Sequence, residues 1–219
     1  DKSDKPFQIW YHIIGSKDTT DTLIYEEKDI SYSLSLSKSQ DELFIFIYSS
    51  SWNGNQIFSI NKDHTCSPLT KRQSEIEYYI NHLHTNFYLL TNQDNHENYS
   101  LYQRDLKSWK LIIPHTKKRF IVDFGCKDNY VFIICREKGF PKLIIYNTLN
   151  HKQYYVSFPE TFFSIEVPSI YNLDSTNPYL FIEYSSMKTP MITYKLDMSK
   201  NKLLIQKQDT VQSFKSANY

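Results

Sequence analysis

The sequence predicts an all-β chain, a partial β-propeller of about four and a half four-stranded blades, and three observations point there. Tyr (18) and Phe (14) are abundant while the only alanine is Ala217, a balance that favours strands over helices. Short apolar runs follow one another in four sets of four, with no stretch of helical periodicity among them. The third run of each set ends in a small polar residue, Asn61, Asp105, Asn147 and Asp197, which recurs every 42 to 50 residues, the blade period of a propeller. A single blade cannot bury both of its faces and must stack on its neighbours, so second strands that are apolar throughout are expected.

The elements follow in order. Phe7–Ile14 has strand character, and Thr22–Tyr25 is its hairpin partner across the Gly15-Ser16 turn. The charged corner Glu26-Glu27-Lys28-Asp29 leads to Tyr32–Leu36, then to Leu43–Tyr48, a run expected to be buried on both faces. Asn53-Gly54 signals a hairpin, because glycine accepts positive φ, and Gln56–Asn61 and a weak outer strand at Ser67–Leu69 complete the set. The second set is Glu77–Ile80, Phe87–Leu90, Tyr99–Tyr102 and Trp109–Ile113. The third is Phe120–Asp123, Tyr130–Ile134, Lys142–Tyr146 and Gln153–Val156. The fourth is Phe162–Ile165, Tyr179–Tyr184, Met191–Leu196 and Lys202–Ile205. These divisions give a half blade at 1–30 and blades at about 31–73, 74–117, 118–159 and 160–208. A polar linker follows at 209–219.

Composition excludes several function classes. A chain of 219 residues buries about two-thirds of its unfolded surface, enough for a sizeable core. The 25 basic and 24 acidic residues leave a net charge of +1, which gives no electrostatic reason to expect nucleic acid or an anionic membrane. No apolar run approaches the roughly 20 residues of a membrane helix, and Asp1-Lys2-Ser3-Asp4 does not start a signal peptide. Cys66, Cys126 and Cys135 are odd in number and form no CxxC, so a reducing cytoplasm is expected. A mature secreted chain with three free thiols is the alternative.

Four full sets preceded by two strands imply a chain that begins inside a blade, and hence part of a longer one. A cut blade bares a strand edge and an apolar face, so self-association around Phe7–Tyr25 is expected.

The residues also carry a resemblance. His12-x-x-Gly15-Ser16, Asp21, Tyr25-Glu26-Glu27-Lys28-Asp29 and Ser35-Leu36-Ser37-Lys38-Ser39 resemble the propeller of the prolyl oligopeptidase family of serine peptidases. Leu90-Thr91-Asn92, Tyr184-Ser185-Ser186-Met187-x-Thr189-Pro190 and Lys207-Gln208-x-x-Val211 extend the similarity over nearly the whole chain. The Glu-Glu-Lys-Asp corner and Lys-Gln-x-x-Val favour the oligopeptidase B (protease II) branch, while Ile14 and Ser16 stand where that pattern has Leu and Thr. The resemblance implies a seven-bladed parent that cleaves short peptides after Arg or Lys. It also implies an α/β-hydrolase domain beyond residue 219 holding the catalytic residues, with the propeller as sieve and lid over them.

No catalytic residue is expected within the chain itself. A nucleophile elbow needs Gly-x-Ser-x-Gly, and Gly15, Gly54, Gly125 and Gly139, the only glycines, are never two apart. A Gly-rich phosphate loop fails for the same reason. His82 and His84 would share a strand face but lack a third metal ligand, so polar surface or loop histidines are the simpler reading, and neither metal nor cofactor is expected. Cys126 and Cys135 read as buried strand cysteines rather than reactive thiols, and Lys117-Lys118-Arg119 as a solvated turn.

Glu26, Glu27 and Asp29 are the candidate site residues. The corner joins an outer strand to the next inner strand and can lie at a propeller face, where it would meet basic peptides or the hydrolase domain. A solvated corner, or a salt bridge with Lys28 or Lys38, is the bland reading. A stand-alone propeller scaffold and a glycan-acting propeller are the alternative functions. Against them stand the leading half blade, the absence of WD dipeptides and kelch-type double glycines, and the absence of a recognisable carboxyl pair for glycoside chemistry.

Overall fold

A computed structural model describes residues 4–104 and 108–211. The chain divides into two compact units, Asp1–Pro114 and His115–Tyr219. The first holds a hairpin of β1 (Gln8–Tyr11) and β2 (Thr22–Glu26). It also holds one sheet of β3 (Ser33–Lys38), β4 (Ile45–Ser51), β5 (Gly54–Ile60) and β6 (Cys66–Pro68). Its second sheet is β7 (Tyr78–Leu83), β8 (Asn86–Thr91), β9 (Ser100–Arg104) and β10 (Trp109–Ile113). The second unit holds β11 (Arg119–Lys127), β12 (Tyr130–Glu137), β13 (Phe140–Asn147) and β14 (Gln153–Tyr155), then β15 (Phe163–Glu166), β16 (Tyr179–Ser186), β17 (Ile192–Asp197) and β18 (Lys202–Gln208). Each four-stranded sheet is an antiparallel meander in chain order, the all-β, partial-propeller fold expected from the sequence.

Apolar layers form between sheets inside each unit. Ile9, Ile24 and Tyr25 of the first hairpin pack on Leu34, Ile47 and Phe58. Phe46 and Ile57 meet Tyr78, Ile80 and Leu89 of the next sheet. In the second unit Leu143 and Ile145 of β13 share a core with Leu180, Ile182 and Tyr184 of β16. The central strand β12 buries Val131, Phe132 and Ile133 in succession, as a strand covered on both faces must. β16 departs from that expectation: Leu180, Ile182 and Tyr184 are buried, while Phe181 and Glu183 between them are only half-buried, because one face of this sheet carries the core contacts.

The polar residues closing the third strands have a shared task. The Asn147 side chain accepts the Leu149 and Asn150 amides, the Asp197 carboxylate accepts those of Ser199 and Lys200, and the Asn61 side chain donates to Thr65 and Ser67. Each organises the turn into the fourth strand, a role short polar side chains fill well. Asp105 lies outside the described residues.

Two local expectations shift in register. Leu43 is exposed and precedes β4, because its amide bonds Asp41 and Glu42 sits at φ 58°, so the turn takes residues the apolar run had offered. Gly54 opens β5 instead of sitting in the loop, which is Trp52-Asn53. Its φ is 121°, and a Cβ there would lie 2.5 Å from the Ile76 carbonyl oxygen, so glycine is needed for the approach of two backbones as well as for the turn.

Candidate functional site

The corner after β2 is built around Glu27. Alternation along the strand sends Tyr25 and Glu27 inward and leaves Glu26 exposed. The Glu27 carboxylate is buried and accepts hydrogen bonds from four groups. Arg72 gives a two-pronged contact, Nη2 to Oε2 at 2.5 Å and Nη1 to Oε1 at 3.3 Å. The Ser49 hydroxyl donates to Oε2 at 2.5 Å, the Asp29 amide to Oε1 at 3.0 Å and the Tyr25 hydroxyl to Oε2 at 3.3 Å. Arg72 also donates to the Ser49 hydroxyl at 3.0 Å and lies 3.9 Å over the Tyr32 ring. A forked guanidinium fits both demands, which an ammonium cannot.

Burial alone would raise the Glu27 pKa, but the hydrogen bonds from Arg72, Ser49 and the Asp29 amide outweigh it and hold the carboxyl at about 2. Tyr25 is pushed the other way, up to about 12, first by burial and then by the Glu27 charge. Glu27 is therefore a fixed internal anion. Its partner is Arg72, 45 residues along the chain, and neither Lys28 nor Lys38: Lys28 is exposed and Lys38 lies 3.5 Å from Glu42.

Glu26 and Asp29 face solvent on either side of it. Asp29 Oδ1 accepts the Ser31 amide at 2.9 Å and the Ser31 hydroxyl at 2.7 Å, which keeps its pKa below the usual value and fixes the corner's exit. The structure thus divides the acidic corner into one buried strut and two outward charges.

The neighbouring motif residues also pair with one another. His12 Nδ1 lies 2.6 Å from Asp21 Oδ1, and Ser16 bonds back to the Ile13 carbonyl through both amide and hydroxyl, so His12-x-x-Gly15-Ser16 and Asp21 close one loop. Asn92 accepts the Glu77 amide and donates to the Glu75 carbonyl. Thr189 donates to Glu160, and Lys207 pairs with Asp209 at 3.1 Å.

The remaining candidates separate. His82 lies buried in β7 against Asp41, 2.8 Å from Nδ1 to Oδ2, while His84 is exposed in the following turn at φ 59°. The two do not share a face, and His82 is not at the surface. Among the described residues no three His, Cys, Asp or Glu side chains cluster as metal ligands would. Cys126 and Cys135 are buried, and burial pushes the Cys135 thiol up to about 11, away from thiolate chemistry. Lys117 and Lys118 are exposed, but Arg119 is buried in β11 opposite Glu137.

A family model described as the N-terminal β-propeller domain of prolyl oligopeptidase matches residues 1–209. The chain belongs to this family. Among curated proteins, the propeller is 32% identical over 204 residues to Protease 2 from Moraxella lacunata, covering 90% of this chain and 29% of that one. It is 24% identical over 222 residues to Dipeptidyl aminopeptidase BI from Pseudoxanthomonas mexicana, covering 95% and 29%. The closed form of oligopeptidase B from Trypanosoma brucei, with covalently bound antipain, matches its fold with a TM-score of 0.90 at 21% identity, over 99% of this chain and 33% of that one. The resemblance carried by the corner and loop motifs therefore holds, and the propeller spans under a third of the length of each of these relatives.

Proposed function

We propose that this propeller is the non-catalytic, substrate-gating part of a serine oligopeptidase that cleaves short peptides after basic residues. The match of the propeller family over residues 1–209, joined to a sequence without Gly-x-Ser-x-Gly, supports the division of labour. The nucleophile, acid and histidine belong to a hydrolase domain of the same polypeptide, and the propeller covers that site and admits short chains by parting from it. Exposed Glu26 and Asp29 attract the basic side chains of arriving peptides or face the hydrolase domain, while Glu27 and Arg72 hold the corner in place. A reducing cytoplasm suits the three free cysteines. In the isolated chain the β1–β2 hairpin, two-stranded beside four-stranded sheets and carrying exposed Trp10, Ile13 and Ile14, pairs with a second copy.

The testing experiment is an assay of the full-length gene product on amino-blocked short peptides with Arg, Lys or Leu before the scissile bond, and on a folded protein containing the same residues. Cleavage confined to the short Arg and Lys peptides is expected. Equal cleavage of the folded protein removes the gating role, and preference for Leu removes the specificity. A second reading, removal of dipeptides from free amino termini, draws on the 24% identity to Dipeptidyl aminopeptidase BI. It requires that blocking the amino group abolish cleavage.

A further inference from the structure

A groove of about 630 Å3 opens in the first unit between the β5–β6 side of one sheet and β8–β10 of the next. Its size is that of a small-molecule or short-peptide site. Leu69, Leu89, Tyr78, Tyr102 and Trp109 give it an apolar, aromatic lining, and Lys71 and Asp94 are its charged groups. Both are exposed, and neither has an ion-pair or hydrogen-bond partner among the described residues, unlike Glu27 and Arg72 nearby in sequence. Asp94 is held in place by its backbone, since it and Asn95 both take φ 62° and the His96 amide closes the turn onto Asn92 and Gln93. Asp94 lines the same groove as Tyr78 and Tyr102, and burial first, then the Asp94 charge, raises the pKa of both hydroxyls above the usual value. Arg104 already sets its guanidinium 5.7 Å from the centre of the Trp109 ring, so this indole serves as a cation acceptor within the fold.

A carboxylate beside aromatic rings suits a guanidinium or ammonium group, and an unpaired lysine in the same groove suits a carboxylate. One residue that carries both is an arginine or lysine at a peptide's C-terminus. We propose that this groove binds peptides ending in Arg or Lys with a free α-carboxylate, the basic side chain against Asp94 and the aromatic wall, the carboxylate against Lys71. Cleavage after basic residues releases peptides of this form, so the groove is a product-binding site on the propeller. This last step rests on the proposed function, whereas the binding itself does not.

The test is calorimetric titration of the 219-residue chain with acetyl-Phe-Arg as free acid, with its amide, and with acetyl-Phe-Leu as free acid. Saturable binding of the first is expected, with the other two at least about tenfold weaker. Asp94→Asn, which keeps a residue tolerant of positive φ, should erase the preference for Arg over Leu and retain that for acid over amide. Lys71→Met should do the reverse, and unchanged urea midpoints for both variants report an intact fold. Absence of saturable heat at millimolar acetyl-Phe-Arg, equal binding of all three peptides, or variants that leave both preferences intact would overturn the proposal. Cleavage by the full-length product is measured separately. Binding without cleavage removes the peptidase reading and keeps the groove; cleavage without binding removes the groove alone.

Discussion

The side chain of Asn55 holds both backbone groups of Tyr78: its Nδ2 donates to the Tyr78 carbonyl and its Oδ1 accepts the Tyr78 amide, each at 2.8 Å. One buried amide thus replaces a rung of ladder between two sheets, at the residue where β7 begins. The neighbouring backbones reinforce it, Asn55 donating its own amide to the Ile76 carbonyl at 3.1 Å and Glu75 its amide to Asn53 at 2.8 Å. Asn55→Ala leaves a buried N–H and a buried C=O without partners, at about 1–3 kcal/mol for each. A urea titration should show the loss, with Asn55→Asp also destabilised because it cannot donate when ionised. A change under about 0.5 kcal/mol, the scatter of ordinary surface substitutions, would mean that solvent satisfies both groups.

Glu27 makes acid stability predictable. Its folded pKa of about 2 lies below the ordinary 4.5, so the unfolded chain binds the proton more readily. The stabilisation is complete above pH 4.5 and is lost as pH falls towards about 2. The size is on the order of 3 kcal/mol, from roughly 1.4 kcal/mol per pKa unit. Unfolding free energies followed down this range should fall less steeply for Glu27→Gln than for the parent chain. Arg72→Ala should be worse than Glu27→Gln at neutral pH, by about 3–5 kcal/mol below the parent, since it strands a buried charge. Parallel acid profiles for parent and Glu27→Gln would show that the network adds nothing.

The two outward charges make a separate prediction. In the full-length product, Glu26→Gln combined with Asp29→Asn should raise KM for a dibasic peptide by a few-fold at low salt, an effect that fades as ionic strength rises. Stability should stay within about 0.5 kcal/mol, in contrast to Glu27→Gln. Unchanged kinetics at low salt would return the corner to a purely structural role.

The exposed hairpin predicts association. Trp10, Ile13, Ile14 and Leu23 lie exposed along or beside β1 and β2, a strand pair with free edges in the described structure. Sedimentation of the isolated chain should show a concentration-dependent dimer that Ile14→Lys weakens, because Ile14 is almost wholly exposed and its loss costs no core packing. A single monomeric species at high concentration would count against the pairing.

These predictions divide according to what a sequence can encode locally. Strands such as Met191–Leu196 were legible because Ile192, Tyr194 and Leu196, which are buried, alternate with Thr193 and Lys195, which are only half-buried, and such a pattern reports a half-buried pleat directly. Register was less so: the turn at Leu43 and the place of Gly54 depend on hydrogen bonds and on a backbone approach that no periodicity records. Long-range polar partners were not legible at all. Arg72 sits in the Thr70-Lys71-Arg72-Gln73 loop beside an equally basic neighbour, and nothing local marks it, and not Lys71, as the partner of Glu27. Likewise, His82 and His84 look equivalent until the fold brings Asp41 to the first and a positive-φ turn to the second. The acidic corner was found by its charge density, yet charge density cannot tell the buried carboxylate from its exposed neighbours; strand alternation through Tyr25 was the available signal.

Tyr184 offers a prediction that runs against the usual cost of core substitutions. Its side chain is fully buried in the second unit, stacked 5.6 Å from Phe158 and edge-on to Tyr194, and its hydroxyl makes no hydrogen bond of normal geometry, although the Glu160 and Ser186 side chains lie beside it. A buried hydroxyl that forms no well-aligned hydrogen bond recovers little of a desolvation cost of about 1–3 kcal/mol, and removing it keeps the ring and its aromatic contacts. Tyr184→Phe should therefore be neutral or stabilising by about 1 kcal/mol, where Tyr184→Ala should lose about 3–5 kcal/mol through the cavity. The alkaline limb supplies an independent check. Burial, with the Glu160 charge adding to it, pushes the Tyr184 pKa up to about 12 from 10.0. The folded state therefore favours the neutral phenol, and this contribution is present below pH 10 and lost as pH climbs towards about 12. Phenolate absorbance followed against pH should lose one late-titrating group in Tyr184→Phe, and stability above pH 10 should fall less steeply. A variant less stable than the parent at neutral pH would show that Glu160 or Ser186 holds the hydroxyl in a well-formed hydrogen bond in solution.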